Sequence, residues 1–178
     1  MIQELTKRKL TKDEIEVRVA QVGEGWISLL LYKNARTDMD ILDECIGPDN
    51  WQREHKELKG TIYCGISIYD PIKAQWITKW DCGAESFSDK EKGESSDSFK
   101  RSATCWSIGR ELYSSPAIYI REFDKDTKET NYIVDTKNGK KVIKTKFEVF
   151  AIETNDNKEI TGLTIVNNKG KKVFNFKR

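Results

Sequence analysis

The fold is decided by residues 50–81, which read NWQREHKELKGTIYCGISIYDPIKAQWITKWD. Three segments of strand length lie within this stretch: Asn50–Leu58, Thr61–Tyr69 and Gln75–Asp81. The first two are separated by Lys59-Gly60, a hairpin signal, and an Asp-Pro turn precedes the third. Sequential short strands joined by tight turns predict an antiparallel meander.

One face of this meander is predicted to be buried. In the middle strand, apolar residues occupy every second position, namely Ile62, Cys64, Ile66 and Ile68. In the last strand, Trp76, Thr78 and Trp80 share one side. We expect core packing for the two tryptophans, and stacking against nucleic-acid bases is the alternative.

A helix is predicted before the meander, starting near Thr11. Thr11 and Glu14 have the spacing of a capping box, and this helix is expected to run to about Ala20, where Gly23 and Gly25 end it.

A strand and a second helix are predicted to follow. The apolar run Trp26–Tyr32 has strand length, and residues 36–46 place apolar side chains on one helical face before Gly47-Pro48 ends the helix.

The longest helix is predicted from about Ser96 to Tyr113, with Ser95 or Ser96 as its N-cap. Residues 83–98, rich in Gly, Ser and acidic residues, indicate an exposed loop before it. The helix is expected to pack across the sheet through an apolar stripe of Phe99, Ala103, Trp106 and Tyr113, widened by Cys105, Ile108 and Leu112.

Residues 117–178 are predicted to form a β-rich extension of the same domain, with residues 1–116 as its core. Alternating strand patterns are punctuated by polar turns, and Asn138-Gly139 is the sharpest hairpin signal. Residues 121–178 carry 14 basic and 9 acidic side chains. The predicted fold class is α+β, an antiparallel β-meander packed against a long helix (β-β-β-α) with a β-rich C-terminal extension.

Composition argues against an enzyme. The chain has one histidine, His55, and its four cysteines contain no C-x-x-C pair, so we expect reduced thiols, no metal, no cofactor and no catalytic residues. There is neither an apolar run of membrane-spanning length nor a secretory signal, which predicts a soluble cytoplasmic protein. The net charge of +2 does not by itself indicate nucleic-acid binding.

Lys100 and Arg101 are the candidate phosphate ligands on physical grounds. Both point away from the Phe99 stripe, and they are expected near the N-terminus of the long helix, where the peptide dipoles also favour an anion. The alternative is that the two cations only form a solvated helix face.

The same segment resembles the signature helix of Rad52-type annealing proteins from phages and prophages. Residues 91–103 have the pattern E-K-G-x-x-S-D-(small)-x-K-R-(small)-A, followed by an aromatic residue, I-G-R and L-Y. Residues 36–51 and 79–85 resemble two further blocks of that family, in the same order, so the likeness covers residues 12–116. Ser98 and Ser107 depart from it, since Ala and Gly are usual there.

The resemblance implies a protein that binds single-stranded DNA in an outer groove of a ring or filament of identical subunits. Lys100 and Arg101 match the phosphate-contacting pair, Arg36 matches a basic residue of the second block, and Lys79 is a further candidate for a phosphate contact. Annealing involves no bond chemistry. A single-strand-binding protein or a phage exonuclease is a possible partner.

Three alternatives stay open. One is a binding module for RNA or double strands, and another is an interaction or inhibitor protein that retains the fold. The third is a metal-dependent nuclease that would hold Mg²⁺ through carboxylates of the loop region, namely Asp81, Glu85, Asp89, Glu91, Glu94 and Asp97.

Overall fold

The computed structural model describes residues 2–83 and 90–178, and in the helix that begins at Lys90 it describes side chains from residue 93 onward. These residues form three α-helices, α1 (Ile2–Lys7), α2 (Ala35–Ile46) and α3 (Lys90–Cys105). They also form eleven strands: β1 (Glu16–Val22), β2 (Trp26–Tyr32), β3 (Trp51–Leu58), β4 (Thr61–Asp70), β5 (Gln75–Cys82), β6 (Ile118–Arg121), β7 (Val134–Lys137), β8 (Lys140–Ile143), β9 (Phe147–Thr154), β10 (Ile160–Asn167) and β11 (Lys172–Lys177).

The chain divides into two compact units. The first comprises Met1–Lys9 and Lys33–Arg110, and the second comprises Leu10–Tyr32 and Glu111–Arg178. The fold is α+β with antiparallel strand pairing and a β-rich C-terminal part, as the sequence predicts.

The first unit contains the predicted meander, packed against α3. Strands β3, β4 and β5 form an antiparallel sheet in that order. Trp106, just after α3, donates its indole N–H to the carbonyl of Ile66 on β4 at 2.9 Å, and Ser102 Oγ donates to the carbonyl of Lys79 on β5 at the same distance. These bonds fix the helix across one face of the sheet, so the β-β-β-α arrangement is confirmed.

Apolar side chains of the helix, the sheet and α2 form the core of this unit. The phenyl ring of Phe99 is almost fully buried and lies 6.3 Å from the ring of Trp51, measured between centroids. Burying a side chain of this size stabilises the fold by about 1.5–3 kcal/mol. The other buried apolar residues of the unit are Leu5, Ile41, Leu42, Ile46, Cys64, Ile66, Ile68, Ala103, Trp106 and Ile108.

The second unit is built on a six-stranded sheet with the order β11-β10-β9-β1-β2-β6, and β7 and β8 form a separate hairpin. The hairpin turns at Asn138-Gly139, as predicted. The inner residues of β9 and β10, such as Val149, Leu163 and Ile165, are buried.

The prediction of a helix from Thr11 to about Ala20 is wrong. The capping contact exists, since the backbone N–H of Thr11 donates to Oε2 of Glu14 at 2.7 Å, but it closes only the short 3-10 turn Lys12–Glu14. Strand β1 follows, because Val17 and Val19 pair with Leu31 and Leu29 of β2 and the β-branched side chains suit an extended backbone. The strand Trp26–Tyr32 and the second helix are confirmed.

The bounds predicted for the long helix are also wrong. Helix α3 begins at Lys90, within the segment predicted as a loop, so neither Ser95 nor Ser96 is its N-cap; the part of that loop at residues 84–89 lies outside the described residues. The helix ends at Cys105, because Ser107 adopts a left-handed backbone with φ of 73°. Tyr113, predicted on the apolar stripe, therefore lies beyond the helix and is 73% exposed.

Candidate nucleic-acid interface

Helix α3 and the edge strand β5 carry three of the four candidate residues, Lys100, Arg101 and Lys79. Because α3 begins at Lys90, Lys100 and Arg101 lie in its C-terminal half. The expectation that the helix N-terminus assists them is therefore wrong, since the dipole effect is confined to the first and last turns. Any affinity for phosphate at this position comes from the charged side chains.

Arg101 faces the edge strand of the sheet. Its Nε atom lies 3.4 Å from Oδ1 of Asp81 on β5, and its side chain is 46% exposed. An ion pair at this degree of exposure contributes about 0–1 kcal/mol, so a phosphate could replace the carboxylate at little cost. The guanidinium also presents donors that suit bidentate binding of a phosphate.

Lys79 lies on the helix-facing side of β5, where it meets the end of α3. Its Nζ donates to the carbonyl of Cys105 at 2.9 Å and lies 4.3 Å from the centre of the Trp106 ring. The last carbonyls of a helix lack helical partners, so a cation is favoured there. Lys79 remains exposed, and its charge is available at the surface.

Arg110 is a further cation at this end of α3, and the sequence reasoning did not select it. Its Nε donates to the carbonyl of Thr104 at 3.1 Å and its terminal nitrogen donates to that of Cys105 at 3.3 Å. The sequence Ile108-Gly109-Arg110, part of the family-like pattern, could have indicated this residue. In the structure, the side chain of Arg110 points back to the C-terminal end of α3.

Lys100 lies on the opposite flank from Arg101, toward the start of α2. Its Nζ is 3.7 Å from Oδ1 of Asp97, one turn earlier, and its side chain is about one-third exposed. Its main-chain carbonyl accepts a bond of 3.1 Å from Nζ of Lys33, which also donates to both carboxylate oxygens of the fully buried Asp38. This buried ion pair attaches the start of α2 to the backbone of α3.

Arg36 lies in the first turn of α2, after the N-cap Asn34, whose side chain accepts from the N–H of Thr37. Arg36 is exposed, and within the described part of the chain it forms no ion pair. The Lys33 contact joins its helix to α3, but the structure shows no contact between Arg36 and the other candidates.

Three cations, Lys79, Arg101 and Arg110, meet near the end of α3. Together with Lys100 on the other flank of the helix, we call them the basic cluster. Among the described residues, Asp81 pairs with Arg101 and Asp97 pairs with Lys100. These two ion pairs are exposed enough to exchange with a polyanion.

The thiols of Cys105 and Cys64 are protonated at neutral pH. Burial and the neighbouring Asp81 carboxylate raise the pKa of Cys105, and its Sγ lies 3.9 Å from Oδ2 of Asp81. Burial raises the pKa of Cys64 to about 11. Neither group is set up as a nucleophile, because the thiolate is the reactive form.

Trp76 and Trp80 lie on the other face of the sheet, and the expectation that they pack in the core is wrong. They are 44% and 38% exposed. The ring of Trp80 rests on Gly65 of β4, where an added Cβ would come within 2.7 Å of it, and Lys56 Nζ lies 4.7 Å above the ring centre. Lys79 and Trp80 therefore point to opposite faces.

The carboxylates proposed as Mg²⁺ ligands do not converge among the residues that the structure describes, which contain no acidic, His or Cys group arranged to hold a metal ion. Glu94 is buried and accepts from the N–H of Ile62 at 2.8 Å, and Asp81 and Asp97 pair with cations. Glu85, Asp89 and the side chain of Glu91 lie outside the described residues.

No helix in the described ranges has the length and apolar character to cross a membrane. Comparison with known families gives one match that covers most of the chain: the model of the Rad52/22 family double-strand break repair protein matches residues 1–131. The matched range includes the sheet β3-β4-β5, helix α3 and every residue of the basic cluster. No curated protein matches the chain.

Proposed function

The chain belongs to the Rad52/22 family of double-strand break repair proteins, and from that premise we propose that it binds single-stranded DNA and anneals complementary strands in phage or prophage recombination. Membership of the family implies a role in DNA double-strand break repair and recombination. The binding of single strands, their annealing and the phage setting are the proposal.

The observation that carries the proposal is the basic cluster at the end of α3. Lys79 and Arg110 both reach the carbonyl of Cys105, and Arg101 lies beside them through Asp81. Three of its cations thus meet around the end of one helix, which packs on the buried core of the unit. A row of fixed cations with weak carboxylate partners is suited to contact a phosphate backbone without reading its sequence.

Annealing by such a surface requires no bond to be made or broken in the DNA. Two strands repel each other as polyanions, and phosphate contacts on the protein lower that repulsion while the bases remain able to sample register. The cluster presents charge, and the two exposed tryptophans of β5 in the described part of the chain, Trp76 and Trp80, lie on the other side of the sheet. In this proposal the protein holds the phosphates, and the bases remain open to a partner strand.

We further propose that the protein acts as a homo-oligomer, a ring or filament. Strands β3 and β5 are the outer strands of the first unit's sheet, and no described strand pairs with their outer edges. Unpaired edges favour association with another chain. Light scattering should show species well above 20.6 kDa, and a monomer at all concentrations, with and without DNA, would exclude assembly.

The experiment that tests the function is strand annealing without ATP. Two complementary oligonucleotides, one carrying a fluorophore and one a quencher, are mixed with wild-type protein at low salt. We expect faster quenching than in a protein-free control over a range of micromolar concentrations. A rate equal to the control at every concentration would refute the proposal.

The second candidate is an interaction or inhibitor protein that keeps the fold without annealing DNA. It is favoured by the pairing of Arg101 with Asp81 and of Lys100 with Asp97, which leaves fewer charges for phosphate. The annealing assay and a direct binding measurement separate the two, because an inhibitor would fail in both. An RNA-binding module would instead prefer ribonucleotide strands of the same sequence.

We propose a cytoplasmic location, since the DNA it would act on lies there. A single-strand-binding protein or a phage exonuclease is the proposed protein partner, because either would deliver the single strands that annealing consumes.

A further inference from the structure

The net positive charge of this chain lies outside the region that matches the family. Residues 1–131 contain 20 Lys and Arg against 24 Asp and Glu, whereas residues 132–178 contain 11 against 5. The basic segment is therefore a separate feature of the second unit, and the basic cluster on α3 does not account for it.

The hairpin β7–β8 concentrates part of this charge at its tip. Lys137 and Lys140 pair directly across the two strands on either side of the Asn138-Gly139 turn, and Lys141 follows them on the returning strand. All three side chains are exposed. Like charges directly opposite one another destabilise a strand pair, and an anion bound between them would remove that repulsion.

Further lysines lie where the base of the hairpin meets the turn between β10 and β11. The backbone N–H of Asn168 donates to the carbonyl of Lys146 at 3.0 Å, which brings exposed Lys146 close to the turn that carries exposed Lys169. The hairpin base is itself fixed, since Thr145 Oγ1 accepts from the N–H of Ile133 at 2.8 Å. The lysines thus extend from the tip of the hairpin to its base.

These five lysines have few competitors for their charge. Among the described residues, none of the ammonium groups of Lys137, Lys140, Lys141, Lys146 and Lys169 forms an ion pair with a carboxylate. Their neighbours Lys144 and Lys171 do, with Asp135 at 2.8 Å and Glu129 at 3.2 Å. The hairpin surface therefore combines exposed lysines that form no direct ion pair in the described residues with a base that hydrogen bonds hold in place.

We propose that this surface, which we call the lysine ribbon (Lys137, Lys140, Lys141, Lys146 and Lys169), is a second binding site for the phosphate backbone of DNA. The inference rests on the proposed function, because it takes the polyanion to be the DNA that the basic cluster also binds. Lysine ammonium groups act as point charges and carry no base-reading geometry, so the ribbon binds without regard to sequence. The ribbon adds a second set of phosphate contacts to those of the basic cluster.

The test is a salt titration of single-strand binding that compares four proteins. Fluorescence anisotropy of a labelled strand reports the binding. They are the wild type, a ribbon variant (Lys137→Gln, Lys140→Gln, Lys141→Gln), a control that loses the same charge at exposed lysines elsewhere (Lys7→Gln, Lys12→Gln, Lys73→Gln), and a charge-retaining variant with Arg at the three ribbon positions. Circular dichroism checks that each is folded.

We expect the ribbon variant to bind more weakly, with a slope of log K against log salt that is smaller by about 0.7 for each lost contact. The Arg variant should retain the wild-type slope, which separates charge from hairpin folding. A ribbon variant that matches the control overturns the inference. So does a ribbon variant that keeps the wild-type affinity for DNA and the wild-type slope.

The same measurements distinguish this inference from the proposed function. In the background Lys100→Ala, Arg101→Ala, the ribbon substitutions should weaken the remaining binding further, whereas the control substitutions should not. Wild-type protein that binds no single strand refutes the proposed function and with it the ribbon. Binding that depends on Lys100 and Arg101 alone is consistent with the proposed function and contradicts only the inference about the lysine ribbon.

Discussion

The Nε atom of Arg101 on helix α3 lies 3.4 Å from the Oδ1 atom of Asp81 on the edge strand β5. The cation that the family-like pattern selects for phosphate is thus paired with a carboxylate of its own sheet. The pair has two consequences, one for DNA affinity and one for the thiol of Cys105, and both can be measured with the same substitution.

The substitution Asp81→Asn should raise affinity for single-stranded DNA. Asparagine keeps an oxygen that can accept the 2.8 Å bond from the N–H of Cys82 but no longer competes for Arg101. Since an exposed ion pair contributes about 0–1 kcal/mol, the gain should be up to about fivefold at low salt. Glu57→Gln is the matched control, because it removes an exposed charge from β3. Equal effects of the two substitutions, or weaker binding by Asp81→Asn, would contradict the pairing.

The same variant should change the pH dependence of alkylation at Cys105. Burial and the Asp81 carboxylate raise the pKa of this thiol, because a nearby negative charge disfavours the thiolate. Removing the carboxylate should therefore lower the pH at which Cys105 begins to react with iodoacetamide, and the reaction at pH 8 should become faster. Peptide mass spectrometry isolates this site from the other three cysteines. An unchanged pH profile would show that burial alone sets the pKa.

Removing only one charge of the buried ion pair between Lys33 and Asp38 should lower the free energy of unfolding strongly. Asp38→Asn leaves an ammonium with 6% exposure beside a neutral amide, and such a change costs about 3–5 kcal/mol in the free energy of unfolding. The double substitution Lys33→Met, Asp38→Leu should cost less, because it removes both charges. Urea unfolding compares the three proteins. A double variant as unstable as Asp38→Asn would mean that the bond from Lys33 to the Lys100 carbonyl matters more than the charges.

Ser107 should be replaceable by glycine with a gain in stability. Its φ of 73° lies in the left-handed region, which glycine adopts without the steric cost that other residues incur. We expect Ser107→Gly to raise the free energy of unfolding by about 0.5–1 kcal/mol. Ser96→Gly, inside α3, is the opposite control and should lower it by about the same amount. Loss of stability in both variants would contradict the role given to Ser107.

How far sequence determined the fold differs between elements. The meander followed from period-two alternation, with Ile66 and Ile68 buried as expected. Strand β1 could not be predicted in this way. The local contact between Thr11 and Glu14 exists, but the pairing of Val19 with Leu29 of β2 determines that the segment is a strand. Local signals indicate where a turn starts, but they do not reveal which long-range partner continues it.

The candidate site shows the same division. Lys100 and Arg101 could be selected from the pattern of residues 91–103, and Lys79 from its place on a strand. The partner of Arg101 could not, because it depends on the register that sets Asp81 opposite Cys64 and on where α3 crosses the sheet. The start of α3 at Lys90 likewise removed the helix N-terminus from the site.

The central claim is that Lys100 and Arg101 contact DNA phosphates, and the salt dependence of binding tests it most directly. Anisotropy titrations of labelled single strands compare the wild type with the Lys100→Ala, Arg101→Ala double variant over a range of salt concentrations. Circular dichroism and light scattering confirm that fold and assembly are unchanged. The account predicts weaker binding to every sequence alike, with the slope of log K against log salt reduced by about 0.7 for each lost contact. A folded double variant with the wild-type slope would contradict it.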